Sequence, residues 1–302
     1  MKLSIIIVSY NQENYILKAL ESILIQNIPF PFEIIVADDS STDKTFQIIK
    51  NTLSGVVENL KFLDRNNNIG ISKNYQRSFN ECKGDYIAIM EGDDYWIDPN
   101  RLINHVNFLE NHLECVMSMN RFIIYNEVLG DFIYSKIKNE EHYTYINARE
   151  MASGNKLGNL SACVFRKSEI DLIKQEVFEF EIADWMLGLV LSQNGLIGIL
   201  EKKMSVYRVH DKGEWSKLSL DKMRDKVLLK ADIYNKYFDY KYDKEFKDLK
   251  IKLKNRENMI KKKTSFKDFI PPILLHSIDL VVPLAIKKLI FIKLNFKKKI
   301  GL

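Results

Sequence analysis

Strands alternate with helices through the first hundred residues, and this alternation limits the possible folds more than any other feature of the sequence. Leu3–Ser9 is a continuous apolar run, as expected for a strand that is buried on both faces of a parallel sheet. Glu13–Gln26 follows with apolar residues at helical spacing. Because this strand-helix unit repeats, the sequence predicts an α/β fold in which helices flank a twisted, mostly parallel sheet.

Apolar runs and apolar residues at helical spacing also predict the remaining strands and helices. Further strands are predicted at Glu33–Ala37, Leu60–Leu63 and Tyr86–Met90, and further helices at Asp43–Leu53 and from Gly70 to about Cys82. Past Arg101 the pattern weakens; it predicts helices at Arg101–His112 and Asp184–Ser192, and strands at Cys115–Tyr125, around Leu160–Phe165, near Leu196 and near Val206. Residues 220–263 contain no glycine or proline, which favours helices. We therefore predict a first domain at residues 1–218 and a helical C-terminal extension at residues 219–302.

Composition excludes several classes of protein. The 302 residues are 46% hydrophobic with only 12 glycines and 6 prolines, so the chain is neither disordered nor collagen-like. Its three cysteines, Cys82, Cys115 and Cys163, are widely separated, which argues against a disulfide framework or a structural zinc site. The apolar stretch Ile5–Val8 is shorter than the core of a signal peptide, so we expect a cytoplasmic protein that is not exported.

The positive charge of the chain is concentrated at its C-terminal end. Residues 241–302 carry 17 lysines and arginines against 6 acidic residues, whereas residues 1–240 have a net charge of −6. Ile270–Ile292 is apolar and long enough to cross a bilayer, but it contains three prolines and three charged residues, which make a simple spanning helix costly. We expect this segment to lie at the surface of an anionic membrane. A helical subdomain packed on the first domain is the alternative.

Acidic residues cluster where predicted strands or loops end. Asp38 and Asp39 close the second strand, Glu91, Asp93 and Asp94 follow the fourth, and Asp184 precedes a helix. Ligands of open α/β sheets bind outside the carboxyl ends of the strands, and carboxylates there suit a divalent cation bound to substrate phosphates. An isolated Asp-Asp pair is more often a turn former, but three such clusters favour a ligand site.

Four motifs together resemble family 2 glycosyltransferases of the GT-A fold, in particular bacterial enzymes of surface-polysaccharide synthesis. The resemblance covers roughly residues 1–216, and its motifs occur in the order of the family with compatible spacing. They are Ser4–Asn11, Glu33–Thr45, Gly84–Trp96 and Tyr207–His210.

The resemblance implies a site for a nucleotide-sugar, most commonly a UDP-sugar. It places the base at the end of the first strand, with Tyr10 packing on it and Asp39 accepting a hydrogen bond from it. The ribose and diphosphate are assigned to a loop and helix start that include a lysine where relatives often have arginine. The nucleotide-sugar-binding residues implied are Ser9, Tyr10, Asp39, Asn68, Gly70, Lys73, Glu91 and Asp93.

The same resemblance implies a divalent metal, Mn²⁺ or Mg²⁺. Glu91-Gly92-Asp93 corresponds to the DXD motif of the family, although glutamate replaces its first aspartate. Asp93 is the expected metal ligand, with Asp94 a less favoured alternative, and His210 resembles the histidine that completes the metal site in part of the family.

Asp184 matches the catalytic base of the family, with Glu181 as an alternative carboxylate. The implied reaction is a single displacement with inversion, in which the base takes a proton from an acceptor hydroxyl. The acceptor is expected to be a glycan or lipid-linked glycan of O-antigen, capsule or lipooligosaccharide synthesis, at the inner face of a bacterial membrane, with no nucleic-acid partner. The alternatives are a metal-dependent nucleotidyltransferase and a non-catalytic scaffold bound to a membrane or to RNA.

Overall fold

The computed structural model describes residues 1–127, 129–133, 142–180 and 184–262, and these residues form two compact units. The first unit comprises the described parts of residues 1–125 and 139–208. The second comprises the described parts of residues 126–138 and 209–302. The division between domains at residues 218 and 219 stays a prediction, and the apolar segment Ile270–Ile292 lies outside the described residues.

The elements alternate along the chain as the sequence predicts. The strands are β1 (Leu3–Ser9), β2 (Phe32–Asp38), β3 (Leu60–Phe62), β4 (Tyr86–Glu91), β5 (Tyr95–Trp96), β6 (Cys115–Asn126), β7 (Asp131–Ile133), β8 (Tyr143–Ile146), β9 (Cys163–Arg166) and β10 (Leu196–Val209). The helices are α1 (Ile16–Leu24), α2 (Thr45–Leu53), α3 (Ile71–Glu81), α4 (Arg101–Asn111), α5 (Ala148–Ala152), α6 (Lys167–Ile170), α7 (Asp184–Leu191), α8 (Leu220–Tyr237) and α9 (Asp243–Lys262).

The sheet of the first unit has a parallel half and an antiparallel half. Its strands lie in the order β3-β2-β1-β4-β9-β6-β10-β5, and β8 pairs with β10. β1 runs parallel to β2 and β4, whereas β9 runs antiparallel to β4 and β6. The predicted α/β fold, in which helices flank a central sheet, is confirmed, and the predicted parallel pairing is found among β1, β2, β3 and β4.

β1 lies at the centre of the parallel half, and all seven of its residues are buried. Successive side chains of a strand point to opposite faces, so a central strand covered on both sides must be apolar throughout. On one face, Leu3, Ile5 and Ile7 join a core formed with apolar residues of α1, α2 and α4. β1 is therefore the central strand of the core of this unit.

Aromatic side chains attach α3 to the sheet. Phe79 lies 6.5 Å from Phe165 of β9 and 6.2 Å from Phe178 between ring centroids. Tyr75 of the same helix is also buried and stacks near Phe79, with ring centroids 6.1 Å apart. This contact fixes the helix that follows the Asn68–Gly70 loop.

Two sequence-predicted elements differ in the structure. The strands predicted near Leu196 and Val206 are one strand, β10, because the charged residues that interrupt the apolar pattern have partners: Glu201 accepts two hydrogen bonds from Arg121, at 2.8 and 2.9 Å. The strand predicted from Leu160 begins at Cys163. A short 3₁₀ turn precedes it, because the Asn159 side chain accepts a hydrogen bond from Ala162 N.

The second unit contains two helices among its described residues. α8 begins after Ser219, whose hydroxyl accepts a hydrogen bond from Lys222 N, and its buried face includes Met223, Val227 and Ala231. α9 contributes buried Phe246. None of the described helices combines the length and the hydrophobicity that crossing a membrane requires.

Gly84 allows the close approach of the β4 start to β1. A Cβ atom at this position would lie 2.4 Å from Ser4 N and 2.5 Å from Leu3 C, both backbone atoms of the central strand. The glycine N–H donates to Ser4 Oγ at 2.9 Å, so the approach is also hydrogen-bonded. Any larger residue must displace one of the two strands.

We predict that Gly84→Ala lowers the free energy of unfolding by about 1–3 kcal/mol, as overpacking a fixed core does. Lys83→Ala, which truncates the exposed neighbouring side chain, should change it by less than about 0.5 kcal/mol. Urea unfolding of the full chain measures both values. Equal stability of Gly84→Ala and the unsubstituted protein would contradict the contact.

Candidate active site

Three parallel strands end in register at one edge of the sheet. Ser9 pairs with Asp38, and Val8 pairs with Glu91. Backbone hydrogen bonds continue the pairing for one more residue, from Asp39 N to Ser9 O and from Gly92 N to Val8 O, both at 2.9 Å. The sequence-predicted acidic residues at these strand ends are therefore brought together.

Asp38 is fully buried and links the end of β1 with the loops that follow β2 and β3. Its carboxylate accepts hydrogen bonds from Ser9 Oγ at 3.0 Å, from Ser41 N at 3.0 Å and from Ser41 Oγ at 2.5 Å. Arg65 Nε forms an ion pair with it at 2.5 Å. Ser9, a predicted nucleotide-binding residue, is itself buried and directs its hydroxyl to this carboxylate.

Asp39 fixes the loop that precedes α3. Its Oδ1 and Oδ2 accept hydrogen bonds from Ile69 N and Gly70 N, each at 2.9 Å, and its backbone oxygen accepts one from Asn68 Nδ2 at 3.1 Å. Gly70 has a φ of +82°, which favours glycine at this position. A carboxylate oxygen has more than one lone pair, so Asp39 keeps the capacity to accept a further hydrogen bond from a ligand.

Two predicted ligand residues are exposed around this edge. Tyr10 directly follows β1, and 49% of its surface is accessible. Lys73 is exposed in the first turn of α3. An accessible aromatic ring and a cation beside a helix N-terminus are suited to a planar base and a phosphate, respectively.

Asp94 is buried and surrounded by donors. Its Oδ2 accepts from Asn159 Nδ2 at 2.6 Å and from Ser161 Oγ at 2.7 Å, and its Oδ1 accepts from Arg208 N at 3.0 Å. Burial, and next the negative charge of Asp93, raise the pKa of Asp94 to about 7. These contacts make Asp94 a connection between β5, β9 and β10.

Glu91 is shielded from solvent by its neighbours. Its Oε1 accepts a hydrogen bond from Tyr75 Oη at 2.9 Å, and its backbone N donates to Ser161 Oγ at 3.0 Å. Burial raises the pKa of Glu91 well above its usual range, and the charges of Asp94 and Asp93 raise it further. The three carboxylates thus lie close enough to repel one another, which is a condition that a bound cation relieves.

Arg208 supplies positive charge beside this cluster. Its Nε donates to the backbone oxygen of Asp93 at 2.9 Å. Its guanidinium lies 5.2 Å from the ring centroids of both Tyr15 and Tyr95 and 5.8 Å from that of Tyr125. The surrounding rings hold the cation at the same edge of the sheet.

Asp184, the predicted base, begins α7 and acts electrostatically on the same cluster. Burial raises the pKa of Glu91 and of Tyr75 most, and the charge of Asp184 adds a smaller increase. Its Oδ2 accepts from Asn155 Nδ2 at 2.8 Å and its Oδ1 from Trp185 N at 2.9 Å. Glu181, the alternative base, lies outside the described residues.

The carboxylates fit a metal that is shared with a substrate better than a closed protein site. Within the described residues, no three histidine, cysteine, aspartate or glutamate side chains come close enough to hold an ion between them. Mg²⁺ and Mn²⁺ prefer oxygen ligands, and Mg²⁺ commonly uses one or two carboxylates with substrate phosphates and water. Asp93 offers such a carboxylate at the strand end. His210 is buried in the second unit, and its assignment to the metal stays a prediction.

Comparison with known proteins identifies the family. Residues 4–171 match Glycosyl transferase family 2. The chain belongs to this family. It is 31% identical over 223 residues to an uncharacterized protein of Mycobacterium tuberculosis, a match that covers 74% of this chain and 63% of the relative. The chain therefore spans less than two thirds of the length of this relative.

Relatives with described activities are similar over shorter stretches. The poly(ribitol-phosphate) beta-N-acetylglucosaminyltransferase TarS of Staphylococcus aureus is 32% identical over 113 residues, which cover 37% of this chain and 19% of TarS. The crystal structure of TarS residues 1–349 with UDP-GlcNAc has a TM-score of 0.57 at 20% identity and covers 76% of this chain and 65% of that one. This likeness shows the GT-A fold.

A more distant structure has the same fold. The mannosyltransferase PcManGT of Pyrobaculum calidifontis, in complex with GDP-Man and Mn²⁺, has a TM-score of 0.50 at 14% identity, with coverage of 70% and 58%.

The structure adds residues to the site that sequence reasoning did not assign. Asn155, Asn159 and Ser161 contact the acidic side chains from a loop after α5, and Tyr75 contacts them from α3. Asparagine and serine in loops ordinarily indicate turns, so their types carry no signal for this role. Arg208 could have been assigned from the sequence, since it lies inside the Tyr207–His210 motif.

Ser161 joins the backbone of Glu91 to the carboxylate of Asp94 through one hydroxyl. Its Oγ accepts from Glu91 N and donates to Asp94 Oδ2, while its backbone oxygen accepts from Trp96 Nε1 at 2.8 Å and from Arg101 Nη2 at 2.9 Å. The residue is fully buried. Its removal leaves polar groups without replacement partners.

We predict that Ser161→Ala lowers the free energy of unfolding by about 1–3 kcal/mol, because Glu91 N loses its acceptor and Asp94 loses a donor. Ser153→Ala, which removes a hydrogen bond at an exposed helix end, should cost less than about 0.5 kcal/mol. Thermal unfolding at fixed pH compares the two. Similar losses in both variants would contradict the connecting role of Ser161.

Proposed function

We propose that this protein is an inverting glycosyltransferase that transfers a sugar from a UDP-sugar to a hydroxyl of a glycan or lipid-linked glycan in bacterial cell-surface polysaccharide synthesis. The observation that carries the proposal is the position of Asp184. Its carboxylate accepts a hydrogen bond from Asn155, and Asn159 and Ser161, which follow in the same loop, donate to Asp94 beside the Glu91–Asp93 motif. A base and a donor-binding motif are thus near each other in a chain of the glycosyltransferase family.

The choice of donor rests on Asp39, Tyr10 and the TarS comparison. The exposed ring of Tyr10 at the end of β1 is suited to stacking on a base. The carboxylate of Asp39 at the end of β2 is suited to accepting a hydrogen bond from a ring N–H of that base. TarS structures have been determined with UDP and with UDP-GlcNAc. A hexose or an N-acetylhexosamine is the proposed transferred sugar. Family membership favours this function over a nucleotidyltransferase or a scaffold.

The reaction requires a base but no nucleophile from the protein. As the acceptor hydroxyl oxygen forms a bond to the anomeric carbon, its proton passes to the Asp184 carboxylate. The bond from that carbon to the diphosphate oxygen breaks, and its electron pair leaves with the nucleoside diphosphate. Asp184 already has one donor on each oxygen, which leaves lone pairs for the proton.

A divalent cation bound by Asp93 fits the donor set of the site. When bound, Mn²⁺ or Mg²⁺ would neutralise charge on the departing diphosphate. His210 is proposed as a further ligand in the complete site. Arg208, which is fixed against Asp93, adds permanent positive charge near the same position.

Membrane contact is part of the proposal for the whole protein. The basic and apolar residues of the C-terminal segment would hold the enzyme near a lipid-linked acceptor at the inner face of the membrane. The sequence supports this contact through the charge excess of residues 241–302.

We predict that Asp93→Asn weakens the Mn²⁺-dependent binding of UDP by at least about tenfold, since a charge-assisted interaction worth about 1.5–3 kcal/mol is lost. The unfolding temperature should stay within about 2 °C of the original. Asp85→Asn provides the control, because this exposed aspartate lies at the opposite end of β4. Calorimetry with UDP, with and without Mn²⁺, gives the values; unchanged metal dependence in Asp93→Asn would refute the assignment.

Asp184→Asn should separate binding from transfer. We expect donor affinity within twofold of the original and transfer reduced by at least about 10²-fold, as for loss of a general base. Sugar release from a panel of UDP-sugars and transfer to isolated surface glycans measure the activity, with exposed Asp171→Asn as the control. Transfer at the original rate in Asp184→Asn would remove it as the base.

A further inference from the structure

One loop contacts both the proposed catalytic base and the acidic motif that is proposed to bind the donor. Residues 155–161 lie between α5 and β9, and we call them the 155–161 loop. Asn155 donates to the carboxylate of Asp184, whereas Asn159 and Ser161 donate to that of Asp94. Neither the family motifs nor the sequence pattern assigns a function to Asn155.

The orientation of the Asn155 amide follows from its other contacts. Its Oδ1 accepts hydrogen bonds from Leu157 N at 3.1 Å and from Gly158 N at 3.3 Å. Only an oxygen can accept these bonds, so the NH₂ group must point away from the loop backbone. It points to Asp184 Oδ2, at a distance of 2.8 Å. The loop thereby aims an obligatory donor at this carboxylate.

Asp184 is held from two directions. Trp185 N donates to Oδ1 at 2.9 Å, and Trp185 Nε1 donates to Met151 O of α5 at 2.6 Å. Asn155 holds Oδ2 from the segment that follows α5. Two fixed donors on different oxygens restrict rotation of the carboxylate.

We propose that Asn155 is a positioning residue for Asp184: its amide orients the carboxylate that takes the proton of the acceptor hydroxyl. This inference rests on the proposed function of Asp184. Asn155 touches no reacting atom and acts through the carboxylate. Its loss therefore affects proton transfer more than donor binding.

Asn155→Asp gives the sharpest test. Aspartate keeps an oxygen for Leu157 N and Gly158 N, but it replaces the amide donor with a second carboxylate beside Asp184. We expect the acid limb of the kcat profile to move to higher pH by about one unit or more, with the KM for the donor changed less than threefold. A titration of ¹³C-labelled aspartate carboxyls, assigned with Asp184→Asn, should show the same rise in the midpoint of Asp184.

Three further variants control for loop damage. Asn155→Ser keeps a short acceptor and removes the reach to Asp184, so we expect a lower kcat with the KM for the donor changed less than threefold. Asn159→Asp makes the same substitution against Asp94 and should leave the limb in place. Asn194→Asp changes an exposed asparagine that donates to Glu169 at 2.9 Å beyond the other end of α7, and should leave both kcat and the limb unchanged.

The outcomes separate this inference from the proposed function. If the unsubstituted protein transfers sugar, folded Asn155→Ser keeps its kcat, and folded Asn155→Asp keeps its pH profile and the Asp184 midpoint, the positioning role is refuted. If the acid limb of the kcat profile moves to higher pH by the same amount in Asn159→Asp as in Asn155→Asp, the positioning role is also refuted, because the effect is then not specific to Asp184. If the unsubstituted protein transfers no sugar, the proposed function fails, and the carboxyl titration still decides whether Asn155 governs Asp184.

Discussion

The site depends on the register of β1 with its two parallel neighbours. Ser9 lies opposite Asp38, and Val8 lies opposite Glu91, so three chain segments leave the sheet at the same edge. The register is fixed because β1 is buried on both faces, and a shift by one residue would turn every side chain to the opposite face. Gly84 then permits the close contact between β4 and β1 at the far end. Core packing thus determines where the carboxylates lie.

Acidic residues at this edge are stable together because each has a different set of donors. Asp38 is paired with Arg65, Asp39 accepts two backbone N–H groups, and Asp94 accepts donors from the 155–161 loop and β10. Glu91 accepts a hydrogen bond from Tyr75, and burial, followed by the charges of Asp94 and Asp93, raises its pKa. The edge therefore contains carboxylates that maintain the fold and carboxylates that are proposed to contact a ligand, and Asp39 has both roles. Asp93 and Asp184 belong to the second group in the proposed mechanism.

Sequence patterns predict the scaffold well and the support of the site poorly. Apolar runs and helical spacing locate β1, β2, β4 and their helices, because burial imposes a period that the residues must follow. The support depends on contacts between residues that are far apart in sequence. Asp94 meets Arg208 across more than a hundred residues, and Asn155 meets Asp184 from a loop whose composition is ordinary for a turn. The continuity of β10 was equally hidden, since Glu201 is a strand residue only with Arg121 beside it.

The double hydrogen bond of Asp39 has a consequence for altering donor choice. The carboxylate proposed to recognise the base also closes the Asn68–Gly70 loop by accepting from Ile69 N and Gly70 N. A substitution chosen to accommodate a different base would release the loop that precedes α3, and the first turn of this helix carries Lys73, the residue assigned to the diphosphate. Base selectivity and phosphate binding are therefore not independently adjustable in this scaffold. A redesigned donor pocket must supply a new acceptor for those two amides at the same time as it supplies a new contact for the base.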